Sequence, residues 1–157
     1  MKRINKNTVI IFAAAILILM VSSVVYSHCE IPCGIYDDTL RLDLMAEDIT
    51  TIEKSMKEIQ SLSQEKEKNY NQLVRWVMNK EHHSDALSDV VTQYFMKQRI
   101  APVDSTDTKE YQDYVNKLVL LHKMMVYSMK CKQTTDPANV VKLRSLLAEF
   151  KKTYLGE

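Results

Sequence analysis

Apolar residues recur every three or four positions along most of the chain, which is the spacing of one face of an α-helix. Asp37 or Asp38 is placed to cap the first such helix, because a short carboxylate accepts hydrogen bonds from the first-turn N–H groups. The pattern predicts a helix over about residues 38 to 60. Its apolar positions are Leu42, Met45, Ile49, Ile52, Met56 and Ile59.

A second stretch repeats this spacing. Ser61, followed three residues later by Gln64, has the form of a capping box and is expected to open the second helix. Polar residues at 80 to 84 interrupt its apolar stripe, and a loop from about Arg99 to Thr106, containing Pro102, is expected to end it. The apolar positions are Tyr70, Leu73, Val77, Leu87, Val91 and Tyr94.

Two more helices are predicted in the remainder of the chain. Thr106 or Asp107 is a suitable cap for the third, whose apolar positions are Tyr111, Tyr114, Leu118, Leu121 and Met125. Asp136 followed by Pro137 predicts the start of the fourth, since proline is well tolerated at the first helical position. The fourth apolar stripe comprises Val140, Leu143, Leu147, Phe150 and Tyr154.

Composition supports an all-α fold in one domain. The 157 residues include only two glycines and three prolines, so an all-β fold would lack its usual corner residues. Four amphipathic helices joined by short loops bury their apolar faces most simply as an antiparallel four-helix bundle. We therefore predict one domain at residues 28–157, in which a short N-terminal segment, residues 28–36, precedes such a bundle.

The first 27 residues differ in kind from the rest of the chain. Lys2, Arg3 and Lys6 precede an uncharged, mostly apolar run from Thr8 to Ser27, a pattern typical of a secretory signal peptide. Small residues before the Ser27–His28 bond suit cleavage there, so we expect residues 1–27 to be removed as a signal peptide or propeptide. The run is also long enough to serve as a membrane anchor if it is kept.

Charge argues against nucleic acid as a partner. Three of the 21 Lys and Arg residues lie in the leader, so the remaining 18 face 20 Asp and Glu. A mature chain with this balance has no basic excess with which to bind phosphates.

The cysteines, Cys29, Cys33 and Cys131, are an odd number, which weakens a complete disulfide framework. We expect Cys131 to be an inert thiol.

The stretch "HCEIPC" at residues 28 to 33 concentrates metal ligands. If cleavage frees the amine of His28, that amine, the backbone nitrogen of Cys29 and the Cys29 thiolate form two fused chelate rings. Cys33 can supply a fourth donor, giving a planar site of two nitrogens and two sulfurs. Pro32 restricts the intervening turn, and Gly34 tolerates the positive φ that a closing hook requires.

These donors select the metal. An amide nitrogen loses its proton only to an ion that strongly favours square-planar coordination, which indicates nickel or copper over zinc, an ion usually found tetrahedral. Anionic thiolate and amidate donors stabilise the higher oxidation state, so a Ni(II)/Ni(III) couple becomes accessible. The His28 imidazole is positioned to add an axial ligand.

Residues 28–37 resemble the N-terminal nickel hook of nickel superoxide dismutases, whose pattern is H-C-x-x-P-C-G-x-Y, usually followed by Asp-Pro. Weaker similarity extends over the chain, at the His82–His83, Tyr94–Phe95 and Asp136–Pro137 pairs. One departure is Asp38, which stands where the pattern usually has proline. The hook positions that match are His28, Cys29, Pro32, Cys33, Gly34 and Tyr36.

The resemblance implies a four-helix bundle that assembles as a homohexamer with one nickel ion per subunit. It implies disproportionation of superoxide to dioxygen and hydrogen peroxide by alternation between Ni(III) and Ni(II). The nickel ligands would be His28, Cys29 and Cys33, and Tyr36 would line the approach to the metal.

The resemblance also implies outer partners for the axial imidazole, a carboxylate on the first helix and an arginine on the second. Such partners fix the orientation and basicity of a ligand. By position, Asp43 or Glu47 supplies the carboxylate and Arg75 the arginine.

Processing and compartment follow from the leader. Many relatives carry a short propeptide that a dedicated peptidase removes, whereas this leader is similar to an export signal, which predicts a periplasmic or extracellular enzyme. One alternative is a non-enzymatic helical interaction protein, tethered to a membrane by the uncleaved leader, with a Cys29–Cys33 disulfide. Another is a protein that binds nickel or copper without turnover.

Overall fold

The structure is a computed structural model, and it describes residues 32–104, 106 and 108–156. Helix α1 comprises Asp38–Gln64, α2 Tyr70–Asp89, α3 Thr108–Gln133 and α4 Pro137–Leu155. A π-helical segment, Val90–Arg99, continues α2. Within the described ranges there is no β-strand.

The four helices form the predicted all-α antiparallel bundle. Helix α1 packs against α2 and α4, and α3 packs against the same two helices, so each helix has two neighbours. The buried side chains between them form one apolar core rather than separate clusters. This core includes Met45, Ile49, Ile52, Leu87, Phe95, Leu121, Met124, Leu143 and Phe150.

Helix α1 follows its sequence prediction closely. The Asp37 carboxylate caps it by accepting a 2.9 Å hydrogen bond from the backbone N–H of Leu40. Five of its six apolar stripe positions are buried, and the sixth, Ile59, is half-buried. The proposed second start at Ser61 and Gln64 is wrong, because α1 runs on through Gln64.

Helix α2 begins later than predicted, and part of its predicted apolar stripe is exposed near its start. Asn69 caps it, accepting from the backbone N–H of Gln72 at 3.2 Å. Tyr70 and Val77 are exposed, so these two positions of the predicted apolar stripe are wrong, whereas Leu73 is half-buried and the second half, from Leu87, is buried. The polar interruption at 80 to 84 does not break the helix.

That interruption contains a buried lysine, Lys80, only 3% exposed. Its ammonium donates to the backbone carbonyl of Cys131 at 2.7 Å, to that of Lys132, and to Glu81 at 3.2 Å. The two carbonyls belong to the last turn of α3, where they have no partner within the helix. Lys80 therefore caps the C-terminus of α3 with a positive charge, which also suits the helix dipole.

We expect the substitution Lys80→Met to lower the free energy of unfolding by about 2 kcal/mol, because charged hydrogen bonds to buried carbonyls are lost. Chemical denaturation followed by circular dichroism measures this. The matched control is Lys57→Met, since Lys57 forms an exposed pair with Glu53 within α1, and its loss should cost less than about 0.5 kcal/mol. Equal costs for the two variants would refute the capping role.

The π-helical segment was not predicted. Its wider turn ends with the backbone N–H of Ile100 donating to the carbonyl of Phe95, five residues earlier, at 2.9 Å. Adding a residue per turn shifts the side chains that follow around the helix axis, and such segments occur frequently at functional sites. Here Tyr94 and Phe95 are both buried, and Arg99 ends the segment.

Helix α4 buries its whole predicted stripe except Tyr154, which is half-buried. Asp136 caps it, accepting from the backbone N–H of Ala138 at 2.9 Å, as predicted. The α3 stripe is shifted: Leu121 is buried as expected, but Tyr111 is exposed and Met124 is buried in place of Met125. The candidate cap Asp107 lies outside the described residues.

No helix among the described residues is long and apolar enough to cross a membrane. The apolar run from 8 to 27 lies outside those residues.

Candidate metal centre

The chain segment before α1 folds into a tight turn at Cys33. The backbone N–H of Ile35 donates to the carbonyl of Pro32 at 2.9 Å, which closes the turn. Gly34, its third residue, has φ +77°, the conformation expected for the hook from the sequence. A Cβ at this position would meet no atom within 4 Å, so the backbone conformation, not space, favours glycine.

Of the three predicted nickel ligands, the structure describes Cys33, which is exposed at this turn. The ligands His28 and Cys29 lie outside the described residues. An exposed thiol in a closed turn fits the role of a metal ligand, because its sulfur can approach an ion without entering the core. Among the described residues, no group of three or more His, Cys, Asp or Glu side chains is placed to hold a metal ion.

Cys131 differs from Cys33 in its exposure to solvent. It is completely buried, and this burial raises the pKa of its thiol to about 11. A thiol with this pKa stays protonated at neutral pH and is a poor ligand or nucleophile. The structure thus agrees with the prediction that Cys131 is inert.

Tyr36, the predicted hook tyrosine, lies between the turn and α1. Its ring meets the ring of Tyr94 edge to face, with centroids 6.0 Å apart and planes at 76°. The guanidinium carbon of Arg99 lies 4.4 Å from its centroid. Tyr36 remains 41% exposed, so one part of the ring packs on the bundle while another part faces solvent.

A cluster centred on Asp38 lies directly beneath this tyrosine. The Asp38 carboxylate accepts two 2.7 Å hydrogen bonds from the Arg99 guanidinium, one to each oxygen. The hydroxyl of Tyr94 donates to it at 2.5 Å and that of Tyr154 at 2.9 Å. We call these four residues the Asp38 clasp. It joins the first turn of α1 to the π-helical segment and to the end of α4.

In the clasp, the pKa of each residue is shifted in the direction that favours the protonation state in which the residue is hydrogen-bonded. Hydrogen bonding to Arg99 is the main cause that lowers the pKa of Asp38 to about 2. Burial, and then the bond to Asp38, raise the pKa of Tyr94 and of Tyr154 to about 12 each. The bond to Asp38 also raises the pKa of Arg99. At neutral pH the clasp therefore holds one carboxylate, one guanidinium and two neutral phenols.

The Asp38 shift predicts an acid dependence of stability. Because the pKa of Asp38 lies at about 2 in the folded chain against an ordinary 3.8, its contribution is complete above pH ~4 and is lost as pH falls through ~2. We expect the stability difference between wild type and Asp38→Asn to shrink by about 2 kcal/mol over that range. Urea denaturation of both chains at several pH values measures it, and a pH-independent difference would contradict it.

The predicted outer carboxylates lie on α1. Asp43 is exposed, with its carboxylate 3.7 Å from the ammonium of Lys151 on α4. Glu47 is exposed one turn further on, beside a shallow surface groove lined by Ala46, Thr50 and Thr51. Both lie in the half of α1 that begins at the hook.

Arg75, the predicted outer arginine, lies towards the other end of the bundle. Asn79 on α2 bonds Ser55 on α1 at 3.0 Å, which sets the register of the two antiparallel helices. At about 1.5 Å per residue, Arg75 is then roughly 24 Å along the axis from the level of Asp43. Within one chain the structure does not bring Arg75 and the hook turn together, and the role of Arg75 stays a prediction.

Sequence reasoning missed Arg99 and Tyr154 as site residues. Arg99 was placed at the start of a loop, and Tyr154 was treated as packing. One available signal was that a tyrosine at a core-facing position needs a hydrogen-bond partner for its hydroxyl. The partner could not be identified, because Asp38 lies 61 residues before Arg99 and 116 before Tyr154.

Comparison with known proteins supplies one match. The sequence model of a family described as nickel-containing superoxide dismutase matches residues 23–157. No curated protein matches the chain, and no solved structure matches it.

Proposed function

Because the chain belongs to the nickel-containing superoxide dismutase family, we propose that its N-terminal hook is the nickel site and that His28, Cys29 and Cys33 are the ligands. Membership of the family makes the chain an oxidoreductase with nickel as cofactor and superoxide as substrate. The observation that carries the proposal is the closed turn that presents Cys33, next to Tyr36, at the start of a folded bundle.

When bound at these donors, nickel supplies a Ni(II)/Ni(III) couple, so that two superoxide anions and two protons give one dioxygen and one hydrogen peroxide. The task of the chain is to hold the donors, admit a small anion and deliver protons. Cys33 contributes its thiolate from a turn fixed by the Pro32–Ile35 hydrogen bond. Tyr36 lines the approach, since its ring is partly exposed beside that turn.

Protons do not come from the two clasp phenols. The hydroxyls of Tyr94 and Tyr154 are committed to Asp38, and both have pKa values raised to about 12. We assign proton delivery to water ordered near Tyr36, whose exposed ring faces solvent. Arg41, with its guanidinium 5.1 Å from the Tyr94 ring, adds a positive charge at this end of the bundle, and such a charge attracts anions.

The test is to purify the chain beginning at His28, load it with nickel, and measure superoxide dismutation. We expect one nickel per chain and activity that zinc or copper loading does not reproduce. Stoichiometric nickel without dismutation would favour a binding protein and overturn the proposed activity. The family match gives no support to the non-enzymatic, membrane-tethered alternative.

Assembly as a homohexamer belongs to the same proposal. An exposed apolar surface at the start of α2 supports it, because contiguous apolar patches on a soluble bundle commonly mark contacts between subunits. Multi-angle light scattering of the mature chain measures the assembly. The patch comprises Tyr70, Val74, Val77 and Met78.

Export and processing complete the proposal. The basic and apolar leader supports export to the periplasm or the extracellular space, with cleavage before His28 by signal peptidase or by a maturation peptidase. The membrane would then be a partner only for the uncleaved chain.

A further inference from the structure

The Asp38 clasp sits two residues after Tyr36 and touches it from two sides. Asp38 and Tyr36 are separated only by Asp37, the cap of α1. Arg99 lies against the face of the Tyr36 ring and Tyr94 meets it edge to face. Arg99 and Tyr94 are themselves bonded to the Asp38 carboxylate.

The Arg99 guanidinium is a rigid planar group, and different parts of it contact Asp38 and Tyr36. The edge of its guanidinium donates from Nε and Nη2 to Asp38, at 2.7 Å each, while its Cζ atom lies over the Tyr36 ring, 4.4 Å from the centroid. A guanidinium bound at two points to a carboxylate cannot rotate about its axis, so the plane offered to Tyr36 is fixed. A lysine would keep the charge but lose this orientation.

The Tyr94 ring is oriented by the same carboxylate through its hydroxyl, and from behind by Phe95, whose ring centroid lies 5.0 Å away. Tyr154 adds a third direction of support from α4. The clasp is half-buried, with the side chains of Asp38 and Arg99 21% and 29% exposed. A half-buried, doubly bonded ion pair keeps its geometry better than a fully exposed pair does.

From this geometry we propose that Asp38 and Arg99 are positioning residues for Tyr36, and that they hold its ring at the base of the hook. Asp38 stands where the hook pattern usually has proline, so this chain fixes the start of α1 through side-chain bonds. The role for catalysis rests on the proposed function, whereas the positioning of Tyr36 does not.

The first test needs no metal. In the metal-free mature chain, the ring proton signals of Tyr36, assigned by comparison with Tyr36→Phe, are measured by NMR in Arg99→Lys and Asp38→Asn. We expect them to move towards the values of a solvent-exposed tyrosine in both variants. Arg144→Lys is the control, because Arg144 forms a comparable 2.8 Å bond to Glu53 far along the surface. Unchanged Tyr36 signals in both clasp variants would overturn the proposal.

The second test uses the nickel-loaded chain. We expect Arg99→Lys to lower dismutation on the order of 10-fold at unchanged nickel content, as for other groups that orient a site. In the Tyr36→Ala background, which removes the ring, the same change should have little further effect, since Arg99 acts through that ring. A full 10-fold loss in that background would overturn action through Tyr36. If wild type itself shows no dismutation, the proposed function fails, and the metal-free test still decides the positioning.

Discussion

Replacing Cys33 with serine is expected to abolish nickel-dependent dismutation while leaving the bundle folded. A serine hydroxyl does not ionise at neutral pH, so the site loses an anionic sulfur donor that suits nickel. Activity should fall to the uncatalysed background and nickel content well below one per chain. Because Cys33 is exposed in a turn, the melting temperature of the metal-free chain should not change measurably. Metal analysis, dismutation and thermal melting on one preparation measure all three.

Cys131→Ala is the matched control, since it removes a thiol that is completely buried and that is not among the predicted nickel ligands. It should cost about 1 kcal/mol of stability through lost packing, with nickel content and activity unchanged. Cys33→Ser should therefore lose activity but not stability, whereas Cys131→Ala should lose stability but not activity. Retained activity in Cys33→Ser, or lost activity in Cys131→Ala, would contradict the assignment of the metal site.

Phe95→Ala is expected to give the largest loss of stability of any single substitution considered. Phe95 is completely buried, and its ring centroid lies 5.1 Å from that of Phe150 and 5.3 Å from that of Tyr154. Truncating such a residue leaves a cavity and costs about 3 to 5 kcal/mol, a large part of the stability of a domain this size. Denaturant unfolding of the metal-free chain measures it.

The control is Val141→Ala on α4, where the side chain is 69% exposed and the expected change is within about 0.5 kcal/mol. Phe95→Ala should also loosen the clasp, because Phe95 packs behind both Tyr94 and Tyr154. A cost below about 1 kcal/mol would mean that the π-helical segment is not part of the cooperative core.

The predictable part of the fold is the part in which local pattern and burial coincide. The α1 stripe from Leu42 to Met56 is buried as predicted, because its spacing marks one face and that face meets the core. Asp136 and Pro137 mark the start of α4 for an equally local reason, since cap and first position lie side by side.

The sequence predictions failed where burial or a helix boundary depends on residues that are distant in the chain. Spacing places Tyr70 and Val77 on one face but does not reveal that no helix in the described part of the chain covers it. Lys80 interrupts an apolar stripe, and its burial depends on the carbonyls of Cys131 and Lys132, more than fifty residues away. Ser61 and Gln64 form a capping signature, but a helix that has already started does not need one.

Some residues of the candidate site could likewise be predicted from the sequence, and others could not. Cys33, Gly34 and Tyr36 could be found from the hook pattern, because the motif is contiguous and its residue types specify its chemistry. The Asp38 clasp could not, since Arg99 and Tyr154 reach Asp38 only after α2 and α4 have folded back on α1.

We propose that cleavage before His28 completes the nickel site by creating its amine donor. The most direct measurement compares nickel-dependent dismutation in two purified chains, one beginning at His28 and one retaining Ser27. The chain beginning at His28 should bind one nickel and turn over superoxide, whereas the chain that retains Ser27 should be inactive, because the nitrogen of His28 is then an amide. Equal activity in the two chains would contradict the claim.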